Sequence, residues 1–147
     1  MWGQAQKPKS DKGKKVARLD EIFSKFIRKR DTMAGYGRCI SCDAILTFDT
    51  CDCGHYVNRK HMSTRFDEFN CNAQCRSCNR FDEGNIQGYR RGLIKKIGLK
   101  STDMLEIKKH NLCQLSLVEL DLLIAYYKKK YKELMDMDKA KKLSSKA

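Results

Sequence analysis

Two Cys-x-x-Cys pairs, Cys39-Ile-Ser-Cys42 and Cys75-Arg-Ser-Cys78, stand 32 residues apart in the chain. A two-residue gap lets both sulfurs of a knuckle turn toward one ion at about 2.3 Å, and two knuckles complete a tetrahedral four-thiolate site. One pair alone would be ambiguous with a redox motif, but no thioredoxin-like βαβ pattern surrounds either pair. The expectation is a structural Zn²⁺. A closed site has no open position for substrate, so such an ion holds a fold together, contributing on the order of 10 kcal/mol to a small core. Cys51, Cys53 and Cys71 could join His61 in a second Cys₃His site. Cys-x-Cys makes a poor knuckle, however, and single thiols commonly serve as small buried hydrophobes. Cys113, on a helical stretch, reads as core.

The segment between and just beyond the knuckles carries Cys53-Gly54-His55-Tyr56, then Asn70, Cys75, Cys78 and Asn79. Taken in order, CISC, GHY, TRFDEFN, NAQCRSCN and GNIQGYR resemble the NinG (Rap) recombination proteins of lambdoid phages. That family belongs among the HNH, or ββα-metal, endonucleases. The resemblance runs from about Arg38 to Gly98. It implies that His55 is the general base, that Asn70 orients it through the other ring nitrogen, and that Asn79 is a ligand of a catalytic divalent ion.

Elementary chemistry agrees with those roles. Hydrolysing a phosphodiester needs a base to deprotonate water, and neutral imidazole suits pH 7. It also needs a cation where charge builds up on the phosphate, and Mg²⁺ or Mn²⁺ fits better there than zinc. Many HNH nucleases carry Asp or His directly before the base, whereas here that position is Gly54. The run Asp52-Cys53-Gly54-His55 has the D-x-G-H form of a nonspecific nuclease branch, in which one helical asparagine holds the metal. Asn79 is therefore expected to be the chief protein ligand, with Asp82, Glu83 or Asp52 as helpers. Arg59, Arg65 and Arg76 are DNA-binding candidates, because an arginine fork matches phosphate. Asp67 and Glu68 are expected to pair with Arg65, and His61 and His110 to be solvated or structural.

Elements must hold these groups in place. Leu19, Ile22, Phe23, Phe26 and Ile27 recur at helical spacing, predicting an amphipathic helix whose other face carries Arg18, Lys25, Arg28, Lys29 and Arg30 as solvated charge. Residues 44–48 and 54–58 are strand candidates for a hairpin, 59–74 reads as irregular, and a helix is expected from Cys78. Ile86, Tyr89, Leu93 and Ile97 predict a helix stopped by Gly98, and Ser101 or Thr102 could cap another over 103–110. Ser116 and Glu119 form a capping box. Behind it Leu117, Leu120, Ile124, Tyr127, Tyr131 and Leu134 make a seam that offers one way to form a homodimer, or packs back onto the first helix. The organisation expected is a disordered basic arm (1–15), an N-terminal helix (16–35), a zinc-bound HNH-like core (36–98), a C-terminal helical region (99–137) and a basic tail (138–147). The fold class is α+β.

The chain has 147 residues and a net charge of +13, of which +4 falls on residues 1–15 and +5 on residues 128–147. Such an excess favours a polyanionic partner, nucleic acid before anionic membrane. No apolar run approaches the ~18 residues of a membrane span. The first residues show no export signal, so a reducing cytoplasmic setting and metal-bound thiols are expected over disulfides. The reading is a DNA endonuclease for branched recombination intermediates such as Holliday junctions or D-loops, a substrate class implied by the resemblance alone. The alternative is a non-catalytic zinc module that binds DNA or RNA, and a redox or disulfide protein is a further rival.

Overall fold

A computed structural model describes residues 9–147. Its elements are α1 (Asp11–Asp31), β1 (Gly37–Arg38), β2 (Ile45–Leu46), β3 (Cys51–His55), α2 (Met62–Arg65), β4 (Cys71–Cys75), α3 (Ile86–Ile97), α4 (Leu99–Lys108) and α5 (Leu117–Ser144). One π-helical turn, Ser77–Phe81, follows β4. The mixed helix-and-sheet class is as expected.

The strand pairing differs from expectation. The 44–48 and 54–58 stretches do not form a hairpin with each other. β2 pairs antiparallel with β1 around the first knuckle, and β3 pairs with β4, from Cys51 opposite Cys75 to His55 opposite Cys71. Residues 71–74, expected to be irregular, thus belong to a strand, which delivers Cys75 to the first knuckle. Alternation was hard to see because Asn72, Ala73 and Gln74 are all buried, the polar pair through hydrogen bonds. In place of a helix from Cys78 there is only the π turn, and the next helix begins at Ile86.

α1 and α5 pack against each other as the largest hydrophobic cluster. Leu19, Ile22, Phe23, Phe26 and Ile27 meet Leu120, Ile124 and Tyr127, with Cys71 of β4 at the same contact. Phe23 stands edge-on to Tyr127 at 4.8 Å and to Phe66 at 5.6 Å. The seam is therefore spent on α1, although Leu117 at its start stays exposed. The Ser116–Glu119 capping box is present. α4 begins at Leu99, directly after Gly98, without a side-chain cap from Ser101 or Thr102.

Both basic ends depart from the expected boundaries. Residues 1–8 of the expected arm lie outside the described residues, while 11–15 are already helical behind Ser10, whose Oγ accepts from Gly13 N. α5 runs through residue 137 to Ser144, because Asp138 binds back to the first helix. Its carboxylate accepts from Lys29 Nζ, from Lys142 Nζ at 3.1 Å and from the Ala34 amide at 3.2 Å. Ala34 needs that anchor, since its φ of +65° is uncommon for a residue with a side chain. Nor is the polar face of α1 simply solvated. Lys29 is buried on Asp138, Arg28 lies over the Phe48 ring, and Arg30 donates to the Glu68 and Cys71 carbonyls.

Phe23→Ala should cost about 3–5 kcal/mol, as expected for emptying an aromatic site in a core. Chemical denaturation of the two proteins measures that difference. Lys29 and Lys142 hold the Asp138 carboxyl down at about 2. A depressed carboxylate stabilises the fold above its unfolded value, near 4, and loses that contribution as pH falls toward 2. Asp138→Asn should therefore melt earlier at neutral pH and show a shallower loss of stability below about pH 4, read by thermal melts across pH.

Candidate functional site

β1 and the turn after it present Cys39 and Cys42, while the end of β4 and the π turn present Cys75 and Cys78. All four sulfurs lie within 4.8 Å of one another, with Cys42 and Cys75 at 3.7 Å. A tetrahedral ion with 2.3 Å bonds would space its sulfurs about 3.8 Å apart, so the donor set fits a metal such as zinc. Backbone and side-chain donors already face the sulfurs: Cys75 N to Cys39 at 3.3 Å, Cys78 N to Cys75 at 3.4 Å, and Asn85 Nδ2 to Cys78 at 3.3 Å. Burial pushes the Cys75 thiol up, but the Cys78 donor and neighbouring sulfurs outweigh it and hold that thiol below its ordinary value.

Beside the cluster lies a cleft of about 570 Å³ lined by Cys53, His55, Asn58, Arg59, Asn79 and Glu83, among others. His55 reaches it from the last residue of β3, and Asn79 from the π turn. The sequence-predicted base and metal ligand thus share one cavity. The His55 Nε2 atom is 3.0 Å from the Arg65 carbonyl oxygen. A carbonyl only accepts, so Nε2 carries the proton and Nδ1 of the neutral ring holds the lone pair. Burial lowers the imidazole pKa below its ordinary value, against the opposing effect of the hydrogen bond it donates to the Arg65 carbonyl. Asn79 is pinned likewise. Its Nδ2 donates to Asp52 at 3.0 Å, which leaves Oδ1 as the free end of the amide.

Several supports differ from those expected. Asn70 does not hydrogen-bond the imidazole. Fully buried, it accepts from Val57 N at 2.7 Å and donates to the carbonyls of Val57 and Thr64, clamping the loop that follows His55. The Arg65 carbonyl orients the ring in its place. Asp52 is not a free ligand, because the Arg80 fork takes both its oxygens at 2.7 and 2.8 Å. Asp82 is not among the cleft residues, whereas Glu83 is. Arg65 pairs with Asp20 rather than with Asp67 or Glu68, which bind Lys108 and Lys130. Its fork is thereby occupied. Arg59 lines the cleft, and Arg76 is exposed with one nitrogen on the Asp49 carbonyl.

Two supporting residues escaped the sequence reading. Gln74 crosses from β4 to donate to Ser41 Oγ at 2.8 Å and to the Gly84 carbonyl at 2.6 Å, tying the first knuckle to the turn beyond Asn79. A Cβ on Gly54 would sit 2.1 Å from the Gln74 amide oxygen, so an Asp or His before His55 would displace Gln74 from its bonds to Ser41 and Gly84. Tyr89, fully buried, donates to the Gly54 carbonyl at 2.7 Å from below. Both lie in motifs that carry the resemblance, and Tyr89 in the helical stripe, but a buried Gln and a core Tyr show no supporting role until their partners are known. Of the remaining cysteines, Cys53 and Cys71 lie together with His55. Cys51 packs with the knuckle residues instead, burial pushing its thiol up to about 11, and His61 joins neither group. Cys113 is half-buried in the α4–α5 loop rather than on a helix.

Residues 3–137 match the family model described as Bacteriophage Lambda NinG protein. The chain is 35% identical over 120 residues to protein ninG of Escherichia phage 933W, covering 81% of this chain and 57% of that relative. It is 35% identical over 122 residues to protein ninG of Salmonella phage P22, covering 82% and 58%. With protein ninG of Escherichia phage lambda it shares 34% over 120 residues, covering 81% and 56%. The chain thus spans little more than half the length of these curated relatives. No solved structure matches it.

Cys78→Ser should lose metal and unfold the region between the knuckles, because two-stranded sheets are marginal without such a staple. Atomic emission would show wild-type protein holding about one tightly bound zinc from this site. Cys51→Ser should keep that zinc and melt close to wild type. A Cys78→Ser protein with unchanged metal and melting would remove the structural role.

Proposed function

The chain belongs to the NinG family of bacteriophage lambda, and on that premise we propose that it is a metal-dependent DNA endonuclease with a ββα-metal (HNH) site. The single observation that carries this reading is the pairing of His55 and Asn79 across one cleft, each with its other end already committed. A non-catalytic zinc module would need the cysteine cluster and the basic charge, but it has no use for an imidazole and an amide fixed in this way.

In this reading His55 Nδ1 takes a proton from a water that attacks phosphorus, and Nε2–H stays on the Arg65 carbonyl throughout. The ring therefore enters the reaction neutral and leaves it as imidazolium without turning. Asn79 Oδ1, held outward by Asp52, is the protein oxygen for a hard cation, with the Glu83 carboxylate lining the same cleft. A bound Mg²⁺ or Mn²⁺ supplies charge neutralisation at the non-bridging and leaving oxygens. Asp52 is a positioning residue. It is locked by Arg80, so its charge aims the amide and is not spent on the ion. Arg59 offers its fork to a flanking phosphate. The net charge of +13 favours a DNA substrate, and the recombination role implied by the family resemblance makes branched intermediates the substrate class.

His55→Ala should fold, hold its zinc and bind DNA, while its cleavage rate drops by about 10²–10⁴-fold, the usual worth of a positioned base. Asn79→Ala should instead need more Mg²⁺ or Mn²⁺ for half-maximal activity and recover partly when it is supplied. Because burial depresses the His55 pKa, only below that lowered value is the ring protonated and unable to accept. Wild-type activity should accordingly rise with pH and reach its plateau earlier than a free imidazole, near 6.5, would allow. Nicking rates across pH and metal concentration check all three. A His55→Ala protein as active as wild type would exclude the ring as base.

A further inference from the structure

β3 and β4 bring a second set of soft ligands together at the floor of the same cleft. Cys53 and His55 sit two residues apart on β3, and Cys71 stands opposite His55 on β4. One ligand atom from each lies within 4.8 Å of the other two. Cys53 and His55 line the cleft and are half-buried, whereas Cys71 behind them is fully buried. We propose that Cys53, His55 and Cys71 form a second metal site, selective for a soft cation such as Zn²⁺, whose occupation removes His55 from service as a base. The activity arm of this inference rests on the nuclease reading; the site itself does not.

The geometry favours an ion over a disulfide. Cys53 pairs with Ala73 and Cys71 with His55, which makes the two cysteines diagonal neighbours across the ladder. Diagonal Cα atoms lie about 7–8 Å apart, beyond the roughly 4.4–6.8 Å of disulfides. An ion bridges the gap with two bonds of about 2.3 Å. Two thiols and an imidazole are the donors that suit zinc and not Mg²⁺. Binding Zn²⁺ would release the two thiol protons to solvent and give a neutral Cys₂His centre, whose three protein ligands are one short of the four of a closed structural site.

Binding the ion and acting as a base exclude one another, whichever ring nitrogen takes the ion. At Nδ1 the metal occupies the lone pair directly, with Nε2–H still held by Arg65, the arrangement usual for metal-bound histidine. At Nε2 the remaining ring proton moves to Nδ1, and the lone pair is again lost. The hard-metal ligand Asn79 is outside this set, so Zn²⁺ at the thiolates would compete for the base and leave the amide oxygen free.

Full-length protein carrying one zinc is titrated with further Zn²⁺, and bound metal is counted after gel filtration. The wild type should take up a second equivalent, while Cys53→Ser, Cys71→Ser and His55→Ala should stay at one. Should the buried Cys71→Ser protein lose the first zinc by unfolding, the half-buried Cys53→Ser variant decides. A wild type that stops at one equivalent, or a Cys53→Ser protein that reaches two, overturns the site. With saturating Mg²⁺, the second equivalent should slow wild-type nicking on the order of 10²-fold against its own one-zinc rate, but leave Cys53→Ser within about twofold of its own. Equal inhibition of both proteins overturns the link to His55. A chain that nicks nothing sinks the nuclease reading, and the zinc count still decides the site.

Discussion

Four sulfurs within 4.8 Å of one another set the relation between two pieces of chain that are otherwise joined by hydrogen bonds such as Ile40 N to the Ala73 carbonyl and Gln74 to Ser41 Oγ. β1–β2 and β3–β4 are separate two-stranded sheets, each too small to stand alone in water. The apolar core is likewise split, with one cluster between α1 and α5, one at the knuckles and one under α3 and α4. A metal at the knuckles would fix the end of β4 against the first loop. From there the ladder sets His55 opposite Cys71, and the π turn sets Asn79 four residues beyond Cys75. Both reactive candidates hang from the same clamp, so their separation does not depend on a flexible loop.

Around that clamp the structure relies on committed polar groups rather than on bulk. Asn70, Gln74, Thr64 and Asn72 are essentially buried, and each has partners. Asp31, at the end of α1, receives the Arg30 fork and the Ala73 amide, which ties the helix to β4. Burial pushes the Asp31 carboxyl up, but Arg30 and Lys96 overcome it and hold the group below the ordinary carboxylate range. Networks of this kind fix a geometry more than they add stability, since every buried charge carries its desolvation cost. In the proposed reading, which needs the imidazole in one tautomer, that is the useful property.

The parts legible in the sequence were those governed by local rules. Knuckle spacing identified the cysteine cluster, helical periodicity identified α1, α3 and α5, and the Ser116–Glu119 pair marked the start of α5. His55 and Asn79 could be singled out because the motifs that hold them resemble those of a known family, and that resemblance implies a role for each position. What stayed hidden was settled by long-range pairing. The partner of β3 is 20 residues downstream, behind a segment whose polar residues conceal its alternation. The orienting acceptor for His55 is a backbone carbonyl, which has no signature in sequence. Asp20 claiming Arg65, and Asp138 extending α5, depend on pairs 45 and 109 residues apart.

The central proposal is that this chain hydrolyses phosphodiester bonds in DNA with its own side chains. The most direct measurement is the fate of an end-labelled four-way junction, and of a linear duplex of the same sequence, incubated with full-length wild-type protein. The account predicts strand cleavage that requires added Mg²⁺ or Mn²⁺, stops when the divalent ion is chelated, and favours the junction. Tight binding of both DNAs with no cleavage at any metal concentration or pH would contradict it, and would leave a zinc-held DNA-binding module in its place.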